Sequence, residues 1–357
     1  MKVDIIGAGL VGLATSLTLA SRDNDVRVFD PAPASGATHH AGGMLAPAAE
    51  VVYRQEPLFP LMLESARLYP QLIELVQQYS DRPTGYRTKG TLVVARDRAD
   101  ATHLTELTEY QNTHGMEVER LTVREARRLE PALSPSIAGA VSIPGDHQVY
   151  PRMFAEALID AAANAGVEFV AESVASLDDP RLDPEAQVLV ANGLGGAALY
   201  PALQLRPVYG DILRLDIPSH LKPLVTHVVR GFVEDRPVYI IPRIDGTLGI
   251  GATSREDDRQ IPRVSGIYQL LRDAIEVVPG IEECDFLEAT TGARPGTPDD
   301  LPYLGRVDDR TVISTGYFRH GILLTALAAQ AGADLIESKK PGIDLEHCLP
   351  DRFKESS

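Results

Sequence analysis

Gly7-Ala8-Gly9-Leu10-Val11-Gly12 stands between a short apolar β-prone run, residues 3–6, and a stretch of helical character, residues 10–21, which leads to a second β-prone run at 26–29. That order predicts strand, glycine turn, helix and parallel strand within the first thirty residues. In that setting the three glycines have separate tasks. Gly7 permits the tight turn, Gly9 lets backbone approach a pyrophosphate, and Gly12 lets the helix pack close to the sheet. Leu10 and Val11 open the helix, whose unpaired N–H groups and partial positive charge favour phosphate. Asp30 follows the second strand, placed to accept hydrogen bonds from ribose hydroxyls. The pattern predicts a dinucleotide site against the alternative of a purely structural turn. It leaves NAD and FAD open, while an acid at position 30 opposes the extra phosphate of NADP.

A chain of 357 residues has room for about two domains. Its formal charge of −16 repels polyanions, so nucleic acid is not expected as a partner. The two cysteines, Cys284 and Cys348, form no Cys-x-x-Cys, and no histidines cluster at metal-ligand spacing. The expectation is no metal and a reduced, cytoplasmic setting. The first twenty residues resemble a secretory signal in apolarity, but Asp4 and three glycines interrupt the run. Residues 321–336 fall short of the roughly 20 residues of a membrane span and carry Gln330 and Asp334. They read as a buried helix, and no membrane association is expected.

Helical spacing continues at 58–79, 99–114 and 154–165, and β-prone runs occur at 91–95, 167–170 and 187–191. Further β-prone runs lie at 212–215, 238–241 and 248–250, the last two joined by the hairpin signal Asp245-Gly246. No repeats or low-complexity tracts are visible. The fold class expected is α/β, mixed rather than segregated. A discontinuous Rossmann-like cofactor domain over 1–80, 140–205 and 292–357 would carry an inserted β-rich substrate-binding domain over 81–139 and 206–291.

Four further segments carry a resemblance. They are Ala41-Gly42-Gly43-Met44-Leu45-Ala46-Pro47, Tyr239-Ile240-Ile241-Pro242, Gly292-Ala293-Arg294-Pro295-Gly296-Thr297-Pro298-Asp299 and Gly316-Tyr317-Phe318-Arg319-His320-Gly321-Ile322-Leu323-Leu324. In order and spacing, over essentially the whole chain, the sequence resembles the D-amino-acid oxidase superfamily of FAD-dependent oxidoreductases, nearest its glycine-oxidase branch in thiamine biosynthesis. The resemblance implies FAD, a fold like that of those oxidases, and oxidation of a small amino acid to an imino acid. The imine would hydrolyse to an oxo acid and ammonia or pass on for thiazole synthesis, with oxygen consumed and hydrogen peroxide released.

It also implies roles for individual residues. Arg294 would clamp the substrate carboxylate, work suited to a guanidinium fork. Tyr239 would share that carboxylate or order water, and Arg319 would contact the substrate region. His320, Gly321, Ile322 and Leu323 would turn backbone N–H groups toward the flavin N1 and C2 carbonyl. Gly42, Gly43 and Met44 would run against the flavin, Thr38 would help hold phosphate or ribitol, and Val174 would contribute backbone on the adenine side. The bland alternatives are a surface ion pair for Arg294, a core tyrosine for Tyr239, an ion pair for Arg319 and a simple core helix after it.

His39 and His40 are adjacent, so their side chains diverge, and no acid is near them in sequence. Ser254 stands where a family member carries methionine, and Asn192-Gly193-Leu194 lacks an aromatic often found there. Glycine, sarcosine and small D-amino acids are therefore not ranked by the residues. No cysteine or histidine stands where flavin attachment is expected, so the FAD would be noncovalent. A homo-oligomer, an electron acceptor other than oxygen, and a non-catalytic dinucleotide-binding sensor stay open as alternatives.

Overall fold

Val3 and Ile5 face one apolar layer and Ile6 another, so β1 (Lys2–Ile6) is a strand buried on both sides. The computed structural model describes residues 1–353. After the glycine turn come α1 (Leu10–Ala20) and β2 (Asp25–Phe29), within a residue or so of their expected places. Next are β3 (Met44–Leu45), α2 (Phe59–Tyr79), β4 (Thr91–Ala95) and α3 (Arg98–Thr113). The Asp97 carboxylate caps α3 by accepting from the N–H groups of Ala99 and Asp100. The chain continues through β5 (Glu119–Leu121), α4 (Val123–Leu129), β6 (Gly139–Ile143), β7 (His147–Gln148), α5 (Pro151–Asn164), β8 (Glu168–Val170) and β9 (Gln187–Val190). Then follow α6 (Gly196–Leu199), β10 (Arg206–Asp216), β11 (Val228–Val233), β12 (Arg236–Pro242) and β13 (Thr247–Gly251). Last come α7 (Val264–Val277), β14 (Asp285–Gly296), β15 (Tyr303–Arg306), β16 (Thr311–Thr315) and α8 (Thr325–Ile336).

Two sheets organise these elements. A six-stranded sheet has the order β15-β16-β9-β1-β2-β8, parallel from β16 to β8, with β15 added antiparallel at its edge. Alternation splits β9 between layers: Leu189 joins the core that also contains residues of α1, α2, α5 and α8, while Val188 and Val190 join Ile6, Phe29 and Ile313 on the other side. The parallel strands and buried helices form the Rossmann-like half expected from the N-terminal turn.

The second sheet has eight strands in the order β14-β10-β13-β12-β11-β4-β6-β5, antiparallel apart from the β11–β4 pair. Val238 and Ile240 of β12 and Val229 and Val233 of β11 face a core shared with Leu270, Ala274 and Val277 of α7. Tyr239 and Arg230, partners in the β11–β12 register, consequently face the other way. The Asp245-Gly246 turn joins β12 to β13 as expected, with Gly246 at φ +84°.

Three features differ from expectation. The C-terminal helix begins at Thr325 rather than 321, with a 3-10 turn at Phe318–His320 before it. The expected division at 139/140 falls inside β6, which belongs wholly to the eight-stranded sheet, and β14 runs on to Gly296 past the division at 291/292. No helix among the described residues is long and apolar enough to cross a membrane, and none of their His, Cys, Asp or Glu side chains cluster as a metal site.

Candidate functional site

A single cleft of about 1050 Å³ runs from the glycine turn to the buried face of the eight-stranded sheet. Gly7, Gly9, Leu10, Val11, Asp30, Thr38, Gly42, Gly43, Met44, Tyr239, Arg294 and Arg319 all line it, together with His320, Gly321, Ile322 and Leu323. Gly12 and Val174 do not. Gly12 sits one layer behind, where a Cβ would strike the carbonyl oxygen of Gly7. Val174 is packed into the core with Ile6 and Phe29.

At the nucleotide end, Gly7 adopts φ +107° and donates its N–H to Phe29 O at 3.0 Å, closing the turn. Gly9 caps α1 without a side chain; a Cβ there would meet only Thr38 Oγ1, at 3.5 Å, so the space before the helix is open to the cleft. Thr38 Oγ1 accepts from Leu10 N at 3.2 Å. Asp30 binds both flanking loops, its oxygens accepting from Ala8 N at 2.7 Å and Ala32 N at 2.8 Å. Each oxygen retains a lone pair for a ribose hydroxyl.

Further along, the turn between Tyr317 and Thr325 has its carbonyls secured from the core side. Gly321 O accepts from Thr325 Oγ1 (2.7 Å), Ile322 O from the Tyr69 hydroxyl (2.5 Å) and Leu323 O from Ser65 Oγ (2.6 Å). Ser65 and Tyr69 project from α2. The N–H groups of Gly321, Ile322 and Leu323 have no partner among the described residues and belong to residues lining the cleft. An open glycine cradle at one end and a row of unpaired donors at the other fit an extended dinucleotide such as FAD, whose phosphates Gly9 would admit and whose electron-rich ring edge the N–H groups of 321–323 would meet.

His320 begins this turn, buried, and burial together with Arg319 and Arg230 pushes its imidazole down to about 3. It is neutral in the fold at any ordinary pH. A histidine depressed on folding contributes stability that is complete above its unfolded value near 6.5 and is lost as pH falls toward 3. His320→Gln is expected to remove this loss, about 1.4 kcal/mol per pH unit in that window. Urea unfolding of both proteins at pH 7 and pH 5 checks it, an equal acid response in the two being the contrary result. Asp146, which burial pushes up to about 7, has the opposite slope in both proteins and cancels from the difference.

Beyond the turn, β14 delivers Arg294, whose guanidinium lies over Gly210 of the paired strand β10, where a Cβ would overlap it. Its one hydrogen bond among the described residues is Nη1 to Thr253 O, at 3.3 Å. The rest of the fork is free for a carboxylate. The Tyr239 ring stands against Gly251 and Gly42; a Cβ at Gly42 would meet its hydroxyl at 3.1 Å. Burial pushes the Tyr239 phenol up, so it is protonated and donates. Arg243 fixes the loop beneath, donating to Gly42 O at 2.5 Å and Val149 O at 3.1 Å.

Arg319 donates through Nη2 to Glu50 Oε2 at 3.0 Å, and the other Glu50 oxygen is in contact with Arg230 Nη1. Sequence reasoning missed Glu50, Arg230 and Gly210. Arg230 carried a usable signal: in His227-Val228-Val229-Arg230-Gly231-Phe232-Val233 the alternation places Val229 and Val233 in the core and Arg230 opposite it. His40 lines the cleft and His39 does not; their rings meet edge-on at 77°. Ser254 and Leu194 also line the cleft.

Residues 2–335 match the family model described as FAD dependent oxidoreductase (DAO). The chain is 33% identical to the glycine oxidase of Geobacillus kaustophilus (strain HTA426), over 96% of this chain and 94% of that one. It is 32% identical to the bifunctional protein ThiO/ThiG of Synechocystis sp. (strain ATCC 27184 / PCC 6803 / Kazusa), over 98% of this chain, and spans about half of that longer protein, 53%. The crystal structure of the Geobacillus kaustophilus glycine oxidase superposes with a TM-score of 0.88 over 99% of both chains at 33% identity.

Proposed function

Because this chain belongs to the FAD dependent oxidoreductase family of the D-amino-acid oxidase type, we propose that it is an FAD-dependent amino-acid oxidase converting glycine to glyoxylate, ammonia and hydrogen peroxide. The overall reaction consumes one oxygen and one water per glycine. The likeness to a ThiO/ThiG protein supports a role supplying the imine for the thiazole of thiamine. The observation that carries the reading is the free Arg294 fork facing Tyr239 at the end of a cleft that begins at a dinucleotide cradle.

Bound FAD supplies a hydride acceptor that returns two electrons to oxygen as peroxide, and the rest of the work is positioning. The Arg294 fork takes the substrate carboxylate in two parallel hydrogen bonds. The Tyr239 hydroxyl donates a third and fixes the rotation of the carboxylate about the Cα–C bond. A side chain at Gly42 would press on the Tyr239 ring and hydroxyl and on Ile241, so glycine there leaves that hydroxyl its place. Both Glu50 oxygens are taken by guanidinium groups, so its carboxylate is not free to reach the substrate amine. The amine therefore loses its proton to water, helped by the surrounding arginines, which disfavour an ammonium. Cys284 and Cys348 are absent from the cleft lining, which supports a noncovalent flavin. The β-rich segments carrying Arg230, Tyr239 and Arg294 act as the substrate side of the molecule, and residues 7–44 as its cofactor side.

A peroxide-coupled assay of the yellow protein with glycine, sarcosine and D-alanine tests cofactor, reaction and substrate together. Turnover with glycine is expected, with peroxide and glyoxylate formed in equal amounts. Amine consumed without peroxide would move the protein to the dehydrogenases, and flavin-bound protein inert toward all three would refute the oxidase reading.

A further inference from the structure

The two donors assigned to the substrate carboxylate come from strands that are not neighbours. Arg294 belongs to β14 and Tyr239 to β12, with β10 and β13 between them in the order β14-β10-β13-β12. Side chains standing upright on the two outer strands would be three strand spacings apart, roughly 14 Å at about 4.8 Å each, too far for one carboxylate to reach both. Neither stands upright. The Arg294 guanidinium leans across β10 and lies over Gly210, diagonal to it in the register, and the Tyr239 ring leans across β13 and lies over Gly251, directly opposite it. They come close: burial pushes the Tyr239 phenol up, and of the charges opposing that shift Arg294 acts most strongly.

Both glycines serve close approach and not backbone freedom. Neither has a positive φ, so a side chain is excluded by what lies above it and not by the strand conformation. A Cβ at Gly210 would strike Nη1, Nη2 and Cζ of Arg294, and one at Gly251 would strike the Tyr239 hydroxyl and ring. The atoms struck are side-chain ends, whereas at Gly7 they are the backbone of Ala191 and Asn192. Added bulk at 210 or 251 can therefore be relieved by displacing the donor alone. The guanidinium is also steadied from its edge: it donates to Thr253 O, and Thr253 Oγ1 accepts at 2.8 Å from the N–H of Asp211, the residue after Gly210.

Resting on the oxidase reading above, we propose that Gly210 and Gly251 are positioning residues for the substrate: the two bare positions let Arg294 and Tyr239 fold inward over the inner strands and converge on one carboxylate. Gly210 sets the height and tilt of the guanidinium fork above the sheet. Gly251 does the same for the phenol. A single methyl at either position lifts the group above it and parts the two donors, at the far end of the cleft from the glycine turn.

The test is a double-mutant cycle on flavin-loaded protein. Gly210→Ala is expected to keep its flavin and its urea midpoint, and to lower kcat/KM for glycine at least tenfold. It should weaken acetate, a bare carboxylate followed by its perturbation of the flavin absorbance, by a similar factor. Added to Arg294→Ala, the same substitution should change kcat/KM less than twofold, because the group it displaces is already gone. A general defect of the fold would cost the same in both backgrounds. Gly251→Ala, alone and added to Tyr239→Phe, repeats the cycle for the other donor. Equal losses with and without Arg294, undiminished affinity for glycine and acetate, or loss of flavin in Gly210→Ala would each overturn the positioning role of Gly210, and the same results in the second cycle would overturn that of Gly251. Should the wild type turn over no amine while Gly210→Ala still weakens acetate, the oxidase reading fails and the positioning stands.

Discussion

Arg294→Ala is expected to purify with its flavin and to lose roughly thirtyfold to several thousandfold in kcat/KM for glycine. This corresponds to the ~2–5 kcal/mol typical of deleting one partner of a desolvated charge pair. The guanidinium lies at the far end of the cleft from the glycine turn, and its one hydrogen bond among the described residues, to Thr253 O, is long at 3.3 Å. Its loss should therefore spare the fold. Arg294→Lys keeps the charge but not the planar fork and should recover only part of the loss. Anaerobic titration separates binding from the chemical step: the clamp requires weaker glycine saturation in the reductive phase. Unchanged saturation in Arg294→Ala would remove Arg294 from the substrate site.

Gly7→Val is expected to abolish flavin binding. The φ of +107° at Gly7 excludes a β-branched side chain, and a Cβ would lie 2.6 Å from Asn192 Cα and 2.7 Å from both the carbonyl carbon and oxygen of Ala191. All three are backbone atoms just beyond β9, so relief requires parting the β1 end from its neighbour. Absorbance near the flavin maximum per mole of protein, after incubation with excess FAD, checks this. A yellow variant with one flavin per chain would show that the turn is not the cradle it is taken for.

The N-terminal unit was legible because its signals are local: short apolar β-prone runs mark β1 and β2, and the spacing of Gly7, Gly9 and Gly12 marks the turn. The convergence of Arg294, Tyr239 and Arg319 on one cleft was legible only through resemblance, since nothing within a few residues of any of them shows it. Their meeting depends on register: Val208 opposite Arg294, Arg230 opposite Tyr239, and the turn at 321–324 tied to α2. That tie also explains why the last helix starts late. Ser65 and Tyr69 occupy carbonyls that a helix from 321 would use itself, an effect residing some 250 residues away in the chain. β14 escaped notice because most of its residues are half-buried beside the cleft or exposed, so Asp285–Gly296 lacks the apolar alternation that marks a strand. Val174 was carried over from a family position for its backbone alone, and its side chain packs in the core with Ile6 and Phe29, which bears on the fold and not on that backbone role.

The account rests on one cleft uniting a dinucleotide cradle with an amino-acid clamp, and anaerobic mixing of the yellow protein with glycine tests that union most directly. Saturable bleaching of the flavin absorbance is predicted, followed on admission of air by recovery of the oxidised spectrum and one hydrogen peroxide per glyoxylate. Flavin that stays oxidised under saturating glycine and under every other small amino acid tried would contradict it.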